Sequence, residues 1–202
     1  MKLYYSPGAC SLASHIALHE TGLPFEIDKF ISSTGKTASG EDFMRVNPKG
    51  YVPTIKLDDG NILTEGAAVL QYIADQNPAS GLAPKAGTME RYRLQEWLTY
   101  IGTEIHKTFS PLFNKAVSSE VKDRALELLT RRLGYVETQL ASKPYLMGNS
   151  FTVADAYLFV VVSWSNRVGF DLAQFPRIQD CLSRIALRPA VQAAMKAEGL
   201  IQ

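Results

Sequence analysis

The chain has 202 residues, of which 46% are hydrophobic and 20% are charged. This length allows one large domain or two small ones with a real hydrophobic core, and the composition excludes intrinsic disorder, collagen-like repeats and disulfide-dense scaffolds. Because 21 basic residues face 20 acidic ones, the formal net charge is only +1. The chain therefore lacks the basic excess that favours nucleic acid or an anionic membrane as a partner.

The first 80 residues alternate between strand and helix patterns. A short strand, a helix ended by Gly22 and a second strand predict a β-α-β unit, and the turn DDG at residues 58–60 joins two further strands into a hairpin. The predicted strands cover residues 3–5, 25–31, 53–57 and 61–64, and the predicted helices cover residues 11–21, 41–46 and 65–76. This order predicts a small α/β domain.

The rest of the chain follows a helical period. The stretch NPASGLAP at residues 77–84 has the composition of a linker. One long helix carries an apolar stripe made of Leu94, Leu98, Ile101, Ile105, Phe109 and Leu112. Further helices are predicted over residues 120–140, 153–164, 175–187 and 190–198. We therefore predict an α/β domain over residues 1–80, a linker over residues 81–86 and an all-helical domain over residues 87–202.

Neither a membrane span nor a metal site is predicted. The longest apolar run, residues 156–162, is far shorter than the roughly 20 residues that cross a bilayer. The first residues, MKLYYSP, read directly into a strand without an export signal, so we expect a cytoplasmic protein. The two cysteines, Cys10 and Cys181, lie far apart and outside any metal-binding spacing.

Cys10 stands immediately before the first predicted helix. Unpaired N–H groups and the helix dipole favour an anion at that position, which suits a reactive thiolate. A small buried hydrophobic side chain is the other interpretation, and the residues alone leave both open. Cys181 interrupts the apolar pattern of its helix and is interpreted as a core residue.

Two segments have the groups that bind a small peptide. A cis bond at Val52-Pro53 would leave the backbone N–H and C=O of Val52 facing Cys10, where an extended peptide can add as a strand. At Glu65-Gly66, helix N–H groups can hold a carboxylate while the Glu65 side chain holds an ammonium. An ordinary helix start with a favourable first-turn charge explains the second segment equally well.

Three side chains in the helical part have both a functional and a structural interpretation. His106 lies beside the apolar stripe, on a polar face that is either part of a site or simply solvated. Trp164 ends a predicted helix, where it packs into the core or reaches a pocket. Asp155 belongs to a capping box, TVAD, which a helix start explains without catalysis.

Taken together, five segments resemble the cytosolic glutathione S-transferases, and specifically their bacterial beta class. They are KLYYSPGACSL at residues 2–12, VNPKGYVP at 46–53, LTEG at 63–66, EIHK at 104–107 and FTVAD at 151–155. The resemblance extends along the whole chain. It implies a thioredoxin-like α/β domain followed by an all-helical domain, in an enzyme that uses glutathione as a co-substrate and needs neither a cofactor nor a metal.

The resemblance also implies which residues bind glutathione. In the family, the residue matching Cys10 lies beside the glutathione sulfur and can form a mixed disulfide with it, and the one matching Val52 pairs with the peptide backbone. Glu65 with Gly66 would hold the γ-glutamyl headgroup, and His106 would complete the catalytic pair with Cys10. The other implied contacts are Thr103, Glu104 and Lys107 beside His106, Thr99 at the partner subunit's glutathione, Gly35 or Lys36 at the glycine carboxylate, and Phe113 and Trp164 at the hydrophobic substrate.

Two of these positions depart from the family pattern. Many relatives have Asn where this chain has Thr99, and the shorter side chain reaches less far towards the partner subunit. Relatives also tend to have Lys where this chain has Gly35, so that Lys36 becomes the candidate for the charge that meets the glycine carboxylate.

The activity that the resemblance implies is attack of the glutathione thiolate on small hydrophobic electrophiles, by a homodimer. Thiol-transferase, peroxidase or dehalogenase side activity would depend on Cys10. One alternative is a glutaredoxin-like oxidoreductase, which would have to use Cys10 alone because Ala13 stands where a dithiol enzyme has its second cysteine. The other is a non-catalytic glutathione-binding protein, which would be expected to lose Cys10, Glu65 or His106.

Overall fold

The computed structural model describes residues 1–202, which form two compact units. The strands are β1 Lys2–Tyr5, β2 Glu26–Ile31, β3 Lys36–Thr37, β4 Thr54–Lys56 and β5 Ile62–Thr64. The helices are α1 Ser11–Thr21, α2 Phe43–Val46, α3 Gly66–Gln76, α4 Met89–Tyr100, α5 Lys107–Phe113, α6 Ser119–Gln139, α7 Val153–Ser163, α8 Ser165–Val168, α9 Pro176–Ala186 and α10 Pro189–Ala197. A 3-10 turn covers Pro78–Ser80, and a π-helical segment, Ile101–His106, joins α4 to α5.

The first unit comprises residues 1–83 and 187–202 and contains a mixed five-stranded sheet. The strand order is β3-β2-β1-β4-β5, in which β1 and β2 are parallel and every other pair is antiparallel. The parallel pair requires a crossover, which α1 supplies, and the antiparallel β4 and β5 form the predicted hairpin. Leu3, Ile16, Ile55 and Leu70 are buried in its core. This arrangement confirms the predicted α/β architecture.

Helix α10 belongs to the first unit although it lies at the other end of the chain. Two hydrogen bonds join the Arg188 guanidinium to the Glu20 carboxylate, at 2.6 and 2.9 Å. At the far end of α10, the Glu198 carboxylate accepts the N–H of Gly8 at 2.8 Å and lies 3.0 Å from Nδ1 of His15. These contacts join residues more than 160 positions apart in the chain. They place residues 187–202 in the first unit, whereas the sequence predicted that these residues belong to a helical domain over residues 87–202. The linear domain boundaries stay a prediction.

The second unit, residues 84–186, is helical. The apolar stripe predicted along the long helix is buried, and five of its six members are at most 1% exposed: Leu94, Leu98, Ile101, Ile105 and Phe109. Helix α7 is buried from Val153 to Val162, and Asp155 is the one charged residue in this stretch. Its start is fixed by Asp155, whose carboxylate accepts the backbone N–H of Thr152 at 2.9 Å, as the capping box predicts.

The structure contains elements that were not predicted, among them the short helix α8. The long helix is not continuous, because six residues between α4 and α5 adopt the wider π-helical turn. A two-residue strand, β3, also pairs with the end of β2, in a stretch where no strand was predicted. No helix is both long enough and apolar enough to cross a membrane.

Candidate functional site

In the first unit, Cys10 lies at the turn between β1 and α1. The backbone N–H of Ala9 donates to the carbonyl of Ser6 at 3.0 Å, and this turn brings the chain to the start of the helix. Cys10 is partly exposed, and its Sγ donates to the carbonyl oxygen of Val52 at 3.2 Å. The start of a helix stabilises negative charge, so the position suits a thiolate.

The segment before β4 presents the backbone of Val52 to Cys10. The Val52-Pro53 bond is cis, and Val52 is 8% exposed. The side chain of Asn47 holds this segment, because its Nδ2 donates to the carbonyl of Tyr51 at 2.8 Å and to the hydroxyl of Thr54 at 2.9 Å. Asn47 thus explains part of the VNPKGYVP motif, a role that the sequence pattern did not indicate.

Glu65 and Gly66 lie at the junction between β5, which ends at Thr64, and α3, which begins at Gly66. The Glu65 carbonyl accepts the first helical N–H groups, from Ala68 at 3.0 Å and Val69 at 2.9 Å. The Glu65 carboxylate is exposed, and its Oε1 lies 2.6 Å from Nζ of Lys49. This hydrogen bond raises the pKa of Lys49.

Lys49 was not predicted as a site residue. Its ammonium also donates to the hydroxyl of Thr64 at 2.9 Å, so it is anchored to both sides of the start of α3. The hydroxyl of Tyr51 lies 3.5 Å from the same Glu65 oxygen. The only signal in the sequence was the place of both residues between Asn47 and Pro53, within a motif that the resemblance had already singled out.

Gly35 and Lys36 lie at the opposite edge of the sheet. Gly35 has a φ of 70°, which glycine adopts without strain, and its carbonyl accepts the N–H of Phe43 at 3.1 Å. Lys36 is exposed on β3, whereas Glu65 follows β5 at the other edge. The roles of Gly35 and Lys36 at a glycine carboxylate stay predictions.

In the second unit, His106 ends the π-helical segment. Its Nδ1 lies 2.7 Å from the hydroxyl of Tyr157, on α7, and its ring packs edge-on against Trp164 with ring centroids 4.8 Å apart. Burial lowers the pKa of His106 to about 4, and the positive charge of Lys107 acts in the same direction. The imidazole is therefore neutral at pH 7. Nothing in the sequence pattern indicated the contact with Tyr157.

The neighbours of His106 are held by their own contacts. Glu104 forms an ion pair with Arg132 of α6, at 2.6 Å, and the hydroxyl of Thr103 donates to the carbonyl of Thr99 at 3.0 Å. Thr99, Thr103 and Lys107 are exposed. Their predicted contacts with glutathione remain predictions, and the contact between Arg132 and Glu104 was not expected.

The two aromatic residues predicted to bind the hydrophobic substrate differ in exposure. Trp164 is 6% exposed and packs against the rings of Phe109 and Phe113, with centroids 5.8 and 5.7 Å apart. Phe113 is 45% exposed. Phe113 therefore offers more surface to a ligand than Trp164 does, and the roles of both at a hydrophobic substrate stay predictions.

Comparison with known proteins identifies the family. The family model of the glutathione S-transferase N-terminal domain matches residues 8–76, and that of the glutathione S-transferase C-terminal domain matches residues 100–189. The chain is 44% identical over 200 residues to glutathione S-transferase GstA of Escherichia coli O157:H7, covering 99% of this chain and all of GstA.

Solved structures agree over the whole chain. A sphingomonad glutathione S-transferase complexed with glutathione is 52% identical, with a TM-score of 0.96 and full coverage of both chains. The bacterial beta class glutathione S-transferase of Sphingomonas chungbukensis is 49% identical, again with a TM-score of 0.96 and full coverage of both chains. The thioredoxin-like fold with a helical second part is thereby confirmed. This chain belongs to the glutathione S-transferase family and is similar over its whole length to the enzymes of the bacterial beta class.

Proposed function

We propose that this glutathione S-transferase binds glutathione on its first unit and joins the glutathione sulfur to small hydrophobic electrophiles. One observation supports this most strongly: the Sγ of Cys10 lies 3.2 Å from the carbonyl of Val52, in the same unit as the carboxylate of Glu65 at the start of α3. To bind a γ-glutamyl tripeptide with its sulfur placed for reaction, a protein needs a polar group near the sulfur, backbone groups that pair with the peptide, and a carboxylate that binds the ammonium of the headgroup. Cys10, Val52 and Glu65 offer these groups. The sphingomonad relative is itself a complex with glutathione.

Each part of glutathione has a matching group. The ammonium of the γ-glutamyl headgroup would bind the Glu65 carboxylate, and the headgroup carboxylate would bind N–H groups at the start of α3, beginning with Gly66. The peptide backbone of glutathione would pair with the polar groups of Val52. Glutathione is consumed as a co-substrate, and no resident cofactor is part of the proposal.

The reaction requires the thiol to ionise. A free thiol with a pKa near 8.5 is only a few per cent ionised at pH 7, and lowering that pKa by about 2 units needs about 2.7 kcal/mol of preferential thiolate stabilisation. The N-terminus of α1 would contribute to it, and the family resemblance assigns His106 a part in it as well. The thiolate then attacks an electrophilic carbon, the carbon–halogen bond of an aryl halide breaks with its electron pair leaving as halide, and the thiol proton passes to solvent.

Calorimetric titration with glutathione tests the binding site. Saturable binding is expected, and Glu65→Ala should weaken it by about 1.5–3 kcal/mol, or roughly 10- to 150-fold in Kd, because a charged hydrogen bond is lost. Glu26 is also exposed and in the first unit, on β2, so Glu26→Ala is the matched control and should bind as the wild type does. Equal affinity in Glu65→Ala would remove Glu65 from the site.

Assembly and location follow from the same proposal. We expect a homodimer, since twofold pairs are the commonest assembly and α4 and α6 carry exposed aromatic side chains, including Tyr92 and Tyr135. A cytoplasmic location suits an enzyme that uses reduced glutathione and has two free cysteines.

A further inference from the structure

The ring of His106 is fixed by two aromatic side chains of the same unit. The hydroxyl of Tyr157 lies 2.7 Å from Nδ1, and the two rings are nearly perpendicular at 86°. The ring of Trp164 also packs against the imidazole, with ring centroids 4.8 Å apart and an interplanar angle of 70°. Tyr157 is 5% exposed and lies on the buried helix α7, so the packing around its side chain fixes the position of the hydroxyl.

The backbone around His106 leaves room for that hydroxyl. Ile101 and Ile105 are fully buried and hold the π-helical segment in the core. Gly102 lies in the same segment, and a Cβ built there would be 3.5 Å from the Tyr157 hydroxyl oxygen, which is an ordinary van der Waals contact. Gly102 and His106 of the π-helical segment therefore both lie close to the Tyr157 hydroxyl.

The length of this hydrogen bond favours one of its two possible donors. Either the hydroxyl donates to Nδ1, or a proton on Nδ1 is donated to the hydroxyl oxygen, and the choice depends on the tautomer of the ring. A length of 2.7 Å is usual for a hydroxyl donor and is the lower limit for an N–H donor, which favours the hydroxyl. Burial lowers the pKa of His106, so the ring is neutral at pH 7 and has one nitrogen that accepts and one that donates. A hydroxyl that donates to Nδ1 leaves the ring proton on Nε2.

We propose that Tyr157 is a positioning residue, whose hydroxyl keeps the proton of His106 on Nε2, so that this nitrogen can donate a hydrogen bond. This proposal rests on the proposed role of His106 in glutathione transfer. It makes His106 a hydrogen-bond donor in that reaction rather than a base. With the proton on Nδ1 instead, Nε2 would be a base and would have no proton to donate.

Nitrogen-15 NMR of the imidazole rings tests this directly, because the chain has only three histidines. The signals that disappear in His106→Gln belong to His106. The wild type should show His106 with its proton on Nε2. Tyr157→Phe should shift a measurable share of the proton to Nδ1. The same variant should lower kcat for glutathione conjugation about 5- to 30-fold, as expected for the loss of one hydrogen bond, with less than a threefold change in the KM for glutathione.

Tyr145→Phe is the matched control, since Tyr145 is also a buried tyrosine of the second unit, with its ring against Phe151. It should leave both the tautomer and kcat unchanged. A wild-type His106 protonated on Nδ1 would overturn the proposal even if Tyr157→Phe failed to fold. An unchanged tautomer in Tyr157→Phe, or a shifted tautomer with full kcat, would overturn it as well. A fully active His106→Gln would instead contradict the role of His106 in the proposed function.

Discussion

At the scale of single residues, Glu65 combines backbone strain with a proposed binding role. Its φ of 71° and ψ of 116° make it the only residue other than glycine with a positive φ. Such a conformation costs about 1–3 kcal/mol and persists only where the surroundings hold it. The hydrogen bonds from Ala68 and Val69 to its carbonyl, and the ion pair with Lys49, are what hold it here. The strain therefore coincides with the carboxylate proposed to bind the glutathione headgroup.

His106 should make the stability of the protein depend on pH. Its pKa is about 4 in the folded chain against 6.5 ordinarily, so the unfolded chain binds the extra proton between these values. The free energy of unfolding is therefore highest, as far as His106 is concerned, above pH 6.5, and it decreases as the pH falls towards 4. Between pH 7.5 and pH 4.5 the wild type should lose roughly 2–3 kcal/mol relative to His106→Gln, which does not titrate there.

Urea denaturation of the two proteins at both pH values measures this difference. Burial raises the pKa of Asp155 to about 6, which acts in the opposite direction, but Asp155 is present in both proteins and its effect cancels. A constant stability difference between wild type and His106→Gln at the two pH values would show that the His106 ring is not held neutral by burial.

At the scale of elements, the start of α1 should activate Cys10 rather than Cys181. Oxidised glutathione should react with the Cys10 thiolate, forming one mixed disulfide and releasing one glutathione thiolate, because a helix N-terminus favours the thiolate form. Burial raises the pKa of Cys181 to about 12, so that thiol should stay unmodified. Mass spectrometry should show a single, reducible addition in the wild type and in Cys181→Ala, and none in Cys10→Ala. Addition to Cys10→Ala would mean that the reactive sulfur is elsewhere.

The positions of most elements could be predicted because the signals are local. Helix α1 begins after a cysteine and ends before Gly22, as predicted, and α6 and α9 differ from their predicted bounds by one residue at each end. The π-helical segment could not be predicted, since an apolar side chain every three or four residues fits an α-helix and a π-helical turn alike. Strand β3 has only two residues, too few to show any period.

Residues of the candidate site could be predicted only where they belong to a recognisable sequence motif. Cys10, Val52 and Glu65 stand in segments whose residue types suggest their chemistry, and two of them are in contact. Tyr157 could not be found in this way, because it lies 51 positions from His106 and looks like any aromatic residue of a buried helix. Glu198 lies 190 positions from Gly8, so its hydrogen bond to the turn before Cys10 could not be predicted from the sequence either.

At the scale of the whole molecule, we expect a homodimer formed through the exposed aromatic residues of α4 and α6. Tyr92 is 58% exposed and Tyr135 is 49% exposed, and burial of such side chains supplies much of the energy of association. Sedimentation should give twice the mass of one chain for the wild type and a shift towards that of one chain for the double variant Tyr92→Glu, Tyr135→Glu. Leu187 is 80% exposed but lies in the first unit, and Leu187→Glu should leave the assembly unchanged. A wild-type monomer would contradict the expectation.

If this molecule turns bound glutathione into a nucleophile, it should catalyse the conjugation of glutathione to an aryl halide, and the rate of that reaction is the decisive measurement. The purified wild type should accelerate product formation well above the uncatalysed rate and saturate with glutathione. Cys10→Ala should keep much of this activity, because the attacking sulfur belongs to glutathione, whereas His106→Gln should lose most of it. No acceleration in a protein that binds glutathione would indicate a non-catalytic binding protein, and loss of conjugation in Cys10→Ala would point to a reaction through Cys10 and contradict the account.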